Sequence, residues 1–198
     1  MLKAFEPFIL TFIPIFVAVD SLGNIPLFIG LVEGKAKKQR DQIISVSVTT
    51  ATAIAILFMF VGKWVLRLIG VTIPDFQVAG GLLLFVIAVT LLLPGSHKGL
   101  TDGVNKDVAV FPLATPLITG PAVLTTTIMM LDSYGIWPTF ASLVVNMAIV
   151  WVTLVKADTI MKIMGENGTR AFAKIMYILV AAIGVMMVRK GIMGVAGL

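Results

Sequence analysis

Long apolar runs separated by short polar connections organise this chain. Six runs are evident: Phe8–Val32, Ile43–Ile69, Phe76–Leu93, Val108–Leu131, Pro138–Val155 and Ile175–Val188. Crossing a bilayer as a helix takes about 20 apolar residues, and these runs are of that order. Strands of a membrane barrel are about half that length and alternate in polarity. The pattern therefore predicts an all-α membrane fold with six transmembrane helices. Between the runs, Glu33–Gln42 carries Lys35, Lys37, Lys38 and Arg40, Pro94–Asp107 is rich in glycine and charge, and Lys156–Lys174 is polar and basic. Gly70–Asp75 and Asp132–Ile136 are the short connections.

Two runs are interrupted by residues that are costly at membrane depth. The first holds Asp20-Ser-Leu-Gly-Asn-Ile-Pro26. A proline removes a backbone donor and clashes with the preceding turn, and a charge at the bilayer centre costs at least ~3 kcal/mol on insertion scales. The second holds Pro112-Leu-Ala-Thr-Pro-Leu-Ile-Thr-Gly-Pro121, whose three prolines cannot sit in one continuous helix. Irregular backbone at this depth is tolerated where it lines a polar cavity. Helices 1 and 4 are thus expected to be broken, each with its gap facing such a cavity.

Sliding the chain along itself by 95 residues lays one interruption over the other. Phe16, Leu22 and Pro26 meet Phe111, Leu117 and Pro121, and Val65–Gly70 meets Ile160–Gly165 without a gap. Asp20 meets Thr115, and Asn24 meets Thr119. This divides a single integral membrane domain (1–198) into repeat one, about 5–93, and repeat two, about 108–190, joined by a cytoplasmic linker at about 94–107. Three spans per repeat is an odd number, so the second repeat is inverted. Inverted repeats with interrupted helices in matching positions point to a transporter's binding site. In a rival arrangement runs 1 and 4 are re-entrant hairpins and the repeats run parallel.

Composition agrees with a membrane location. Of 198 residues, 59% are hydrophobic and 13% charged, against roughly 25% charged in soluble domains. Mean hydropathy is +1.06. The pI of about 9.6 is no nucleic-acid signal, because Lys and Arg gather beside apolar runs, where they set topology. With six crossings, ten basic residues fall on the face of the 1–2, 3–4 and 5–6 connections and five on the face of the termini. The positive-inside rule then places both termini outside. The re-entrant arrangement splits them about nine to six. The first run lacks a small-x-small cleavage site and reads as retained.

The chemistry gathers at the interruptions. Pro26 and Pro121 suit the first position of a second half-helix, whose N-terminus offers free N–H groups and the positive dipole end. Gly23, Asn24, Thr119 and Gly120 lie there, with Asp20 and Thr115 nearby. The preceding half-helices end in unpaired carbonyls. Free amides on one side, and carbonyls with a carboxylate on the other, suit a small zwitterion such as an amino acid. Asp20 is also the candidate for proton coupling, since a carboxyl at membrane depth can take up and release a proton; it reads equally as a substrate contact or as a cap.

Other features carry less. Gly80-Gly81 suits close helix packing or the substrate path. Thr49, Thr50 and Thr52 suit bonds to their own helix, and Asn146 suits helix–helix glue or a cavity contact. Trp64, Trp137 and Trp151 suit interfacial anchors. His97 has no second ligand nearby, so no metal site is expected. The chain has no cysteine, no GxSxG, no HExxH, no paired intramembrane carboxylates and no P-loop. No enzyme activity, no cofactor and no nucleic-acid partner is expected, and an ion gradient or the substrate's own gradient is left as the energy source.

At these residues the chain resembles the MarC family. The resemblance rests on Asp20-Ser-Leu-Gly-Asn-Ile-Pro-Leu-Phe28, Arg40, Ala79-Gly-Gly81, Gly70, Gly165 and Ala109-Val-Phe-Pro-Leu-Ala-Thr-Pro-Leu-Ile-Thr-Gly-Pro121, and it covers essentially the whole chain. Two positions depart from the family pattern: Ser21 stands where Pro is usual, and Ala122 where Gly is usual. The family is similar to LysE-type exporters, and one branch, SnatA, transports small neutral amino acids. The resemblance implies a multi-pass protein of the inner membrane that moves substrates such as glycine and alanine, driven by a proton (or Na+) gradient across the lipid bilayer.

Overall fold

A computed structural model describes residues 2–32, 34–93 and 109–196. Among these the fold is entirely helical, with eight elements. They are α1 (Leu2–Val19), α2 (Asn24–Leu31), α3 (Lys37–Leu68), α4 (Ile73–Leu92), α5 (Ala109–Ile118), α6 (Pro121–Tyr134), α7 (Ile136–Val155) and α8 (Ala157–Ala196). Five stretches are long and apolar enough to cross a membrane: Phe5–Leu31, Lys37–Leu68, Ile73–Leu92, Ile136–Val155 and Lys174–Ala196. The pair α5–α6, bent by 50°, makes a sixth if it counts as one crossing. The expected linker at 94–107, with His97, lies outside the described residues.

The helix ends follow local chemistry. Phe8, Phe12 and Phe16 stack along α1, with successive ring centroids 5.7 Å apart, as i, i+4 neighbours do. α3 has 32 residues, about 48 Å at 1.5 Å per residue, so it outruns the apolar core. The basic stretch Lys37–Arg40, read from sequence as a connection, is its first turn. Gly70 ends the turn after α3 with φ +72°, a conformation that strains any residue with a Cβ. α4 opens on a reciprocal cap: the Thr72 hydroxyl accepts from the Asp75 amide, and the Asp75 carboxylate accepts from the Thr72 amide at 2.9 Å.

The last run needs correction. Lys156–Lys174 is not a loop, because α8 begins at Ala157 and carries the chain back towards the bilayer. Its one departure from helical geometry is Gly165, with φ +71° and ψ +173°, at the position that the 95-residue offset pairs with Gly70.

Packing brings together helices far apart in sequence. The most extensive contact is α4 along α8. α1 lies on α7, while α3 lies on α5 and α6. α2 touches α8, while α4 touches α5 and α6, and α3 touches α7. Polar contacts tie the ends. The Thr11 and Ser142 hydroxyls are 2.6 Å apart, joining the middle of α1 to the first half of α7. Asn146 donates to the Ser142 carbonyl at 2.8 Å and to Phe12 on α1 at 3.4 Å, so it acts as helix–helix glue. Lys63 pairs with Asp132 at 2.6 Å at one end of the bundle, and Arg40 with Asp158 at 2.9 Å at the other.

Candidate functional site

Both interruptions are real breaks, and each is built differently. α1 stops at Val19, and Asp20 takes a left-handed conformation with φ +46°. That conformation is unusual for a residue with a side chain, and Asp and Asn tolerate it best. The Asp20 carboxylate accepts from the Gly23 amide at 3.2 Å. Its carbonyl accepts from the Asn24 amide at 3.1 Å, and the Leu22 carbonyl accepts from Ile25. The Asn24 side chain donates to the Val19 carbonyl at 3.0 Å. Thus the amides at the start of α2 bond to Asp20 and Leu22, and the last carbonyl of α1 is taken by the Asn24 side chain. Contrary to the sequence expectation, this half-helix N-terminus presents no row of free N–H groups. Pro26 is the third residue of α2 rather than its first.

The second break is open where the first is closed. Phe111 and Thr115 are extended, each just before a proline, as steric clash with the proline ring requires. Pro121 is the first residue of α6, and its cap residue Gly120 offers no side-chain bond. Among the described residues, the Ala122 and Val123 amides in this first turn have no acceptor outside the helix. Their position gives them none within it. α6 therefore points bare N–H groups and its positive dipole end out of the break. Gly80 of α4 sits directly against the Pro121 ring, where a Cβ would collide with ring atoms. This is the close-packing role expected of Gly80.

Between the two breaks lies a cavity of about 450 Å³. Asp20, Asn24, Pro116 and Gly120 line it, with Ala122, Thr125 and Thr126 from α6. Leu27, Leu84, Val180 and Met187 make much of the remaining wall apolar. The volume equals about fifteen waters at ~30 Å³ each and falls within the usual range for small-molecule sites. Gln77, one turn into α4, and Lys190, near the end of α8, also border it. The cavity thus extends from the breaks towards the face where α4 begins and α8 ends. Among the described residues Asp20 and Lys190 are its charged groups, and neither forms an ion pair.

Of the six residues singled out from sequence, Asp20, Asn24 and Gly120 border the cavity. Gly23 is buried beside it and donates to Asp20. The Thr119 hydroxyl points elsewhere, donating to the Ala51 carbonyl of α3 at 3.0 Å. Thr115 lies within 3.3 Å of the Val110 carbonyl. Gln77, Thr125, Thr126 and Lys190 went unnoticed in the sequence. The signal for Gln77 was an amide three residues before Gly80 in an apolar run, and for the threonines the triplet Thr125–Thr127 just after Pro121. Lys190 reads in sequence as a flanking topological charge.

The match to known proteins covers the whole architecture just described: residues 5–196 match the family described as MarC family integral membrane protein. The chain belongs to the MarC family. A UPF0056 membrane protein of Methanocaldococcus jannaschii is 31% identical, over 94% of this chain and 96% of the relative. A UPF0056 membrane protein of Archaeoglobus fulgidus is also 31% identical, over 93% of this chain and 92% of the relative. The UPF0056 inner membrane protein YhgN of Escherichia coli K12 is 27% identical, over 88% of this chain and 90% of the relative. No solved structure matches the chain.

Proposed function

We propose that this MarC protein is a secondary transporter of small neutral amino acids, such as glycine and alanine, in the inner membrane. One observation carries the reading: the cavity between the breaks has a carboxylate at one side and the bare N-terminus of α6 at another. A bound zwitterion would set its ammonium against Asp20 and Asn24, and its carboxylate against the Gly120–Val123 turn. Lys190 would draw carboxylates towards the opening. The apolar remainder suits a neutral side chain, and the volume leaves room for one beyond a hydrogen atom.

The packing pattern supports an arrangement of two related halves. Exchanging α1–α4 for α5–α8 turns the α1–α7 contact into α3 on α5, and the α2–α7 contact into α3 on α6. It turns α2–α8 into α4 on α6, and leaves α4–α8 and α3–α7 unchanged. Gly70 and Gly165, with φ near +72° and +71°, match at 95 residues. The close pair Gly81 and Gly184 sits eight residues further out of register, so repeat two carries extra residues after Gly165. The polar ties favour six crossings with helices 1 and 4 spanning. Thr11 of α1 meets the first half of α7, whereas α2 leads within a few residues to the Arg40 end of α3. With both termini outside, the cavity faces outward in this conformation, and rocking of one half against the other would turn it inward.

Proteoliposomes test the function. Vesicles loaded with unlabelled alanine should accumulate labelled glycine or alanine by counterflow, which a simple pore does not support. Exchange no greater than in protein-free vesicles, across a range of pH and Na+ concentration, would remove the amino-acid reading. Competition by a panel of other small metabolites separates it from export of a different compound.

A further inference from the structure

Away from the breaks, a groove of about 600 Å³ runs along the seam between α3 and α7. Thr49, Thr52 and Ala53 line it from α3, and Ala148, Trp151 and Val152 from α7. Thr49, Ala53, Ala148, Trp151 and Val152 are all exposed, so no described helix covers it. Thr52 turns its hydroxyl back to the Val48 carbonyl at 2.6 Å, which keeps that wall apolar in character. On α3 the lining runs from Val48 to Ile56, and on α7 from Val144 to Val152. Eight residue steps at ~1.5 Å each make the groove about 12 Å long. Val48 lies five residues inside the apolar run that starts at Ile43, and Val152 lies four residues before Lys156. The groove therefore starts ~6–8 Å beneath the basic face and reaches about the middle of a ~30 Å hydrocarbon core.

Both walls of the groove lead to a lysine. On α7, Val144, Ala148 and Val152 recur every four residues, and the next position on that face is Lys156. On α3 the stripe through Ile56, Thr52 and Thr49 continues at helical spacing through Ser45 and Gln42 to Lys38. Lys38, Gln42 and Lys156 are exposed. The Arg40–Asp158 ion pair holds these two ends of the bundle together. Among the described residues Lys37, Lys38 and Lys156 form no ion pair, and Asp41 is the one acidic group beside them that is also unpaired. Three lysines against one aspartate leave a positive patch at the mouth of an apolar groove.

We propose that this groove is a binding site for an anionic phospholipid, one acyl chain lying between α3 and α7 and the phosphate against Lys156 and Lys38. Basic pockets beside membrane helices take anionic head groups. The hydrocarbon chain gains dispersion contacts along the groove, while the bilayer gives it no hydrophobic reason to prefer protein over lipid. Selectivity therefore comes from the lysines, and the groove fixes where the lipid sits. A second copy of the chain suits the groove less well. A two-fold axis along the membrane normal would set the lysine patches of both copies side by side, and like charges repel. The site stands whether or not the transport reading holds.

The groove carries its own reporter. The chain has three tryptophans, and Trp64 and Trp137 lie at the opposite ends of α3 and α7 from the lysines. In the full chain with Trp64→Phe and Trp137→Phe, fluorescence comes from Trp151 alone. This protein is reconstituted in phosphatidylcholine vesicles that contain a fixed minor fraction of acyl-brominated phosphatidylglycerol or acyl-brominated phosphatidylcholine. Brominated phosphatidylglycerol should quench Trp151 as though enriched about fivefold over its share of the bilayer, the order expected of one lysine at an anionic lipid. Lys38→Gln with Lys156→Gln should bring the two lipids to near parity. Ala148→Leu, which fills the groove and keeps the lysines, should also remove the preference. Equal quenching by both lipids in the starting protein would overturn the proposal, leaving an unselective lipid shell. A preference that survives Ala148→Leu would overturn the groove as the site, and one that survives loss of both lysines would overturn the head-group contact. Quenching by either lipid that falls as protein is packed more densely in the vesicles would assign the groove to a second copy instead.

Discussion

The α4–α8 seam offers the sharpest energetic test of this architecture. A Cβ added to Gly81 would lie 2.5 Å from the Gly184 carbonyl oxygen, 2.9 Å from the Met187 Cβ and 2.9 Å from the Val188 amide nitrogen. A Cβ on Gly184 would lie 2.6 Å from the Gly81 carbonyl oxygen and 2.9 Å from the Phe85 amide. Comfortable heavy-atom contact is ~3.5 Å, so each methyl arrives about 1 Å too close. The obstructing atoms are mostly backbone, which no rotamer change can move aside. Either the helices separate by that distance along a turn or more, losing dispersion contacts on both sides, or one helix slides. Overpacking of this kind costs typically 1–3 kcal/mol, and the bilayer supplies no hydrophobic drive to press the helices back together.

We expect Gly81→Ala and Gly184→Ala each to destabilise the folded protein by about 2 kcal/mol. The double variant should cost less than the two together, because the first methyl opens the gap that the second needs. Reversible denaturant unfolding in mixed micelles measures all three. If the halves rock across this seam, the single variants will also slow counterflow more than they weaken substrate binding. Unfolding free energies for Gly81→Ala and Gly184→Ala within 0.5 kcal/mol of the parent, a margin typical of neutral surface changes, would refute the close approach. Fully additive losses would refute the shared contact.

Three further outcomes bear on the site. Thr119→Val removes the bond to Ala51 and should cost about 1 kcal/mol of stability, with alanine affinity within twofold in equilibrium binding. A large affinity loss at unchanged stability would return Thr119 to the substrate. Asp20→Asn should abolish uptake driven by a pH gradient and also weaken counterflow, since Asp20 borders the cavity, both measured in the same vesicles; normal driven uptake would remove Asp20 from coupling. Arg40→Ala breaks a partly exposed ion pair, whose side chains are 27% and 54% exposed, so after solvent screening the loss should stay under ~1 kcal/mol. Adding Asp158→Ala should then cost little more in the same unfolding assay.

Much of this architecture was legible in the chain because bilayer physics constrains it so tightly. Apolar runs of the right length located every long helix, and prolines beside polar residues located both breaks. Helix ends were less legible. The basic stretches 37–40 and 157–174 are polar because they lie outside the apolar core, not because they are irregular, and hydropathy does not separate those cases. The candidate site was half legible. Asp20, Asn24 and Gly120 were accessible to reasoning because each is anomalous where it stands. Gln77 and Lys190 were not, since only the packing of α4 along α8 brings their side chains to the same cavity as residues far away in sequence. Thr119 misled because a hydroxyl at a helix break fits either a ligand or a neighbouring carbonyl. Choosing between them requires knowing that Ala51 lies within reach.

The most instructive difference lies between the two breaks. Both interrupt a helix with a proline near the start of the second half, and the sequence expects free N–H groups at both, with Asp20 facing Thr115 at the matching position. In the first, Asp20 occupies the anion's place internally: its carboxylate and carbonyl take the amides of Gly23 and Asn24, and Asn24 takes the carbonyl of Val19. In the second, the matching residue is Thr115, which bonds back to Val110 and leaves the start of α6 bare. A symmetric pair of bare helix ends would favour a doubly negative ligand. One filled by a carboxylate and one left open favours a ligand with both signs. The asymmetry also explains why a single carboxylate suffices. The Asp20 carboxylate has the Gly23 amide as a partner within the protein, so it is not stranded without a hydrogen bond.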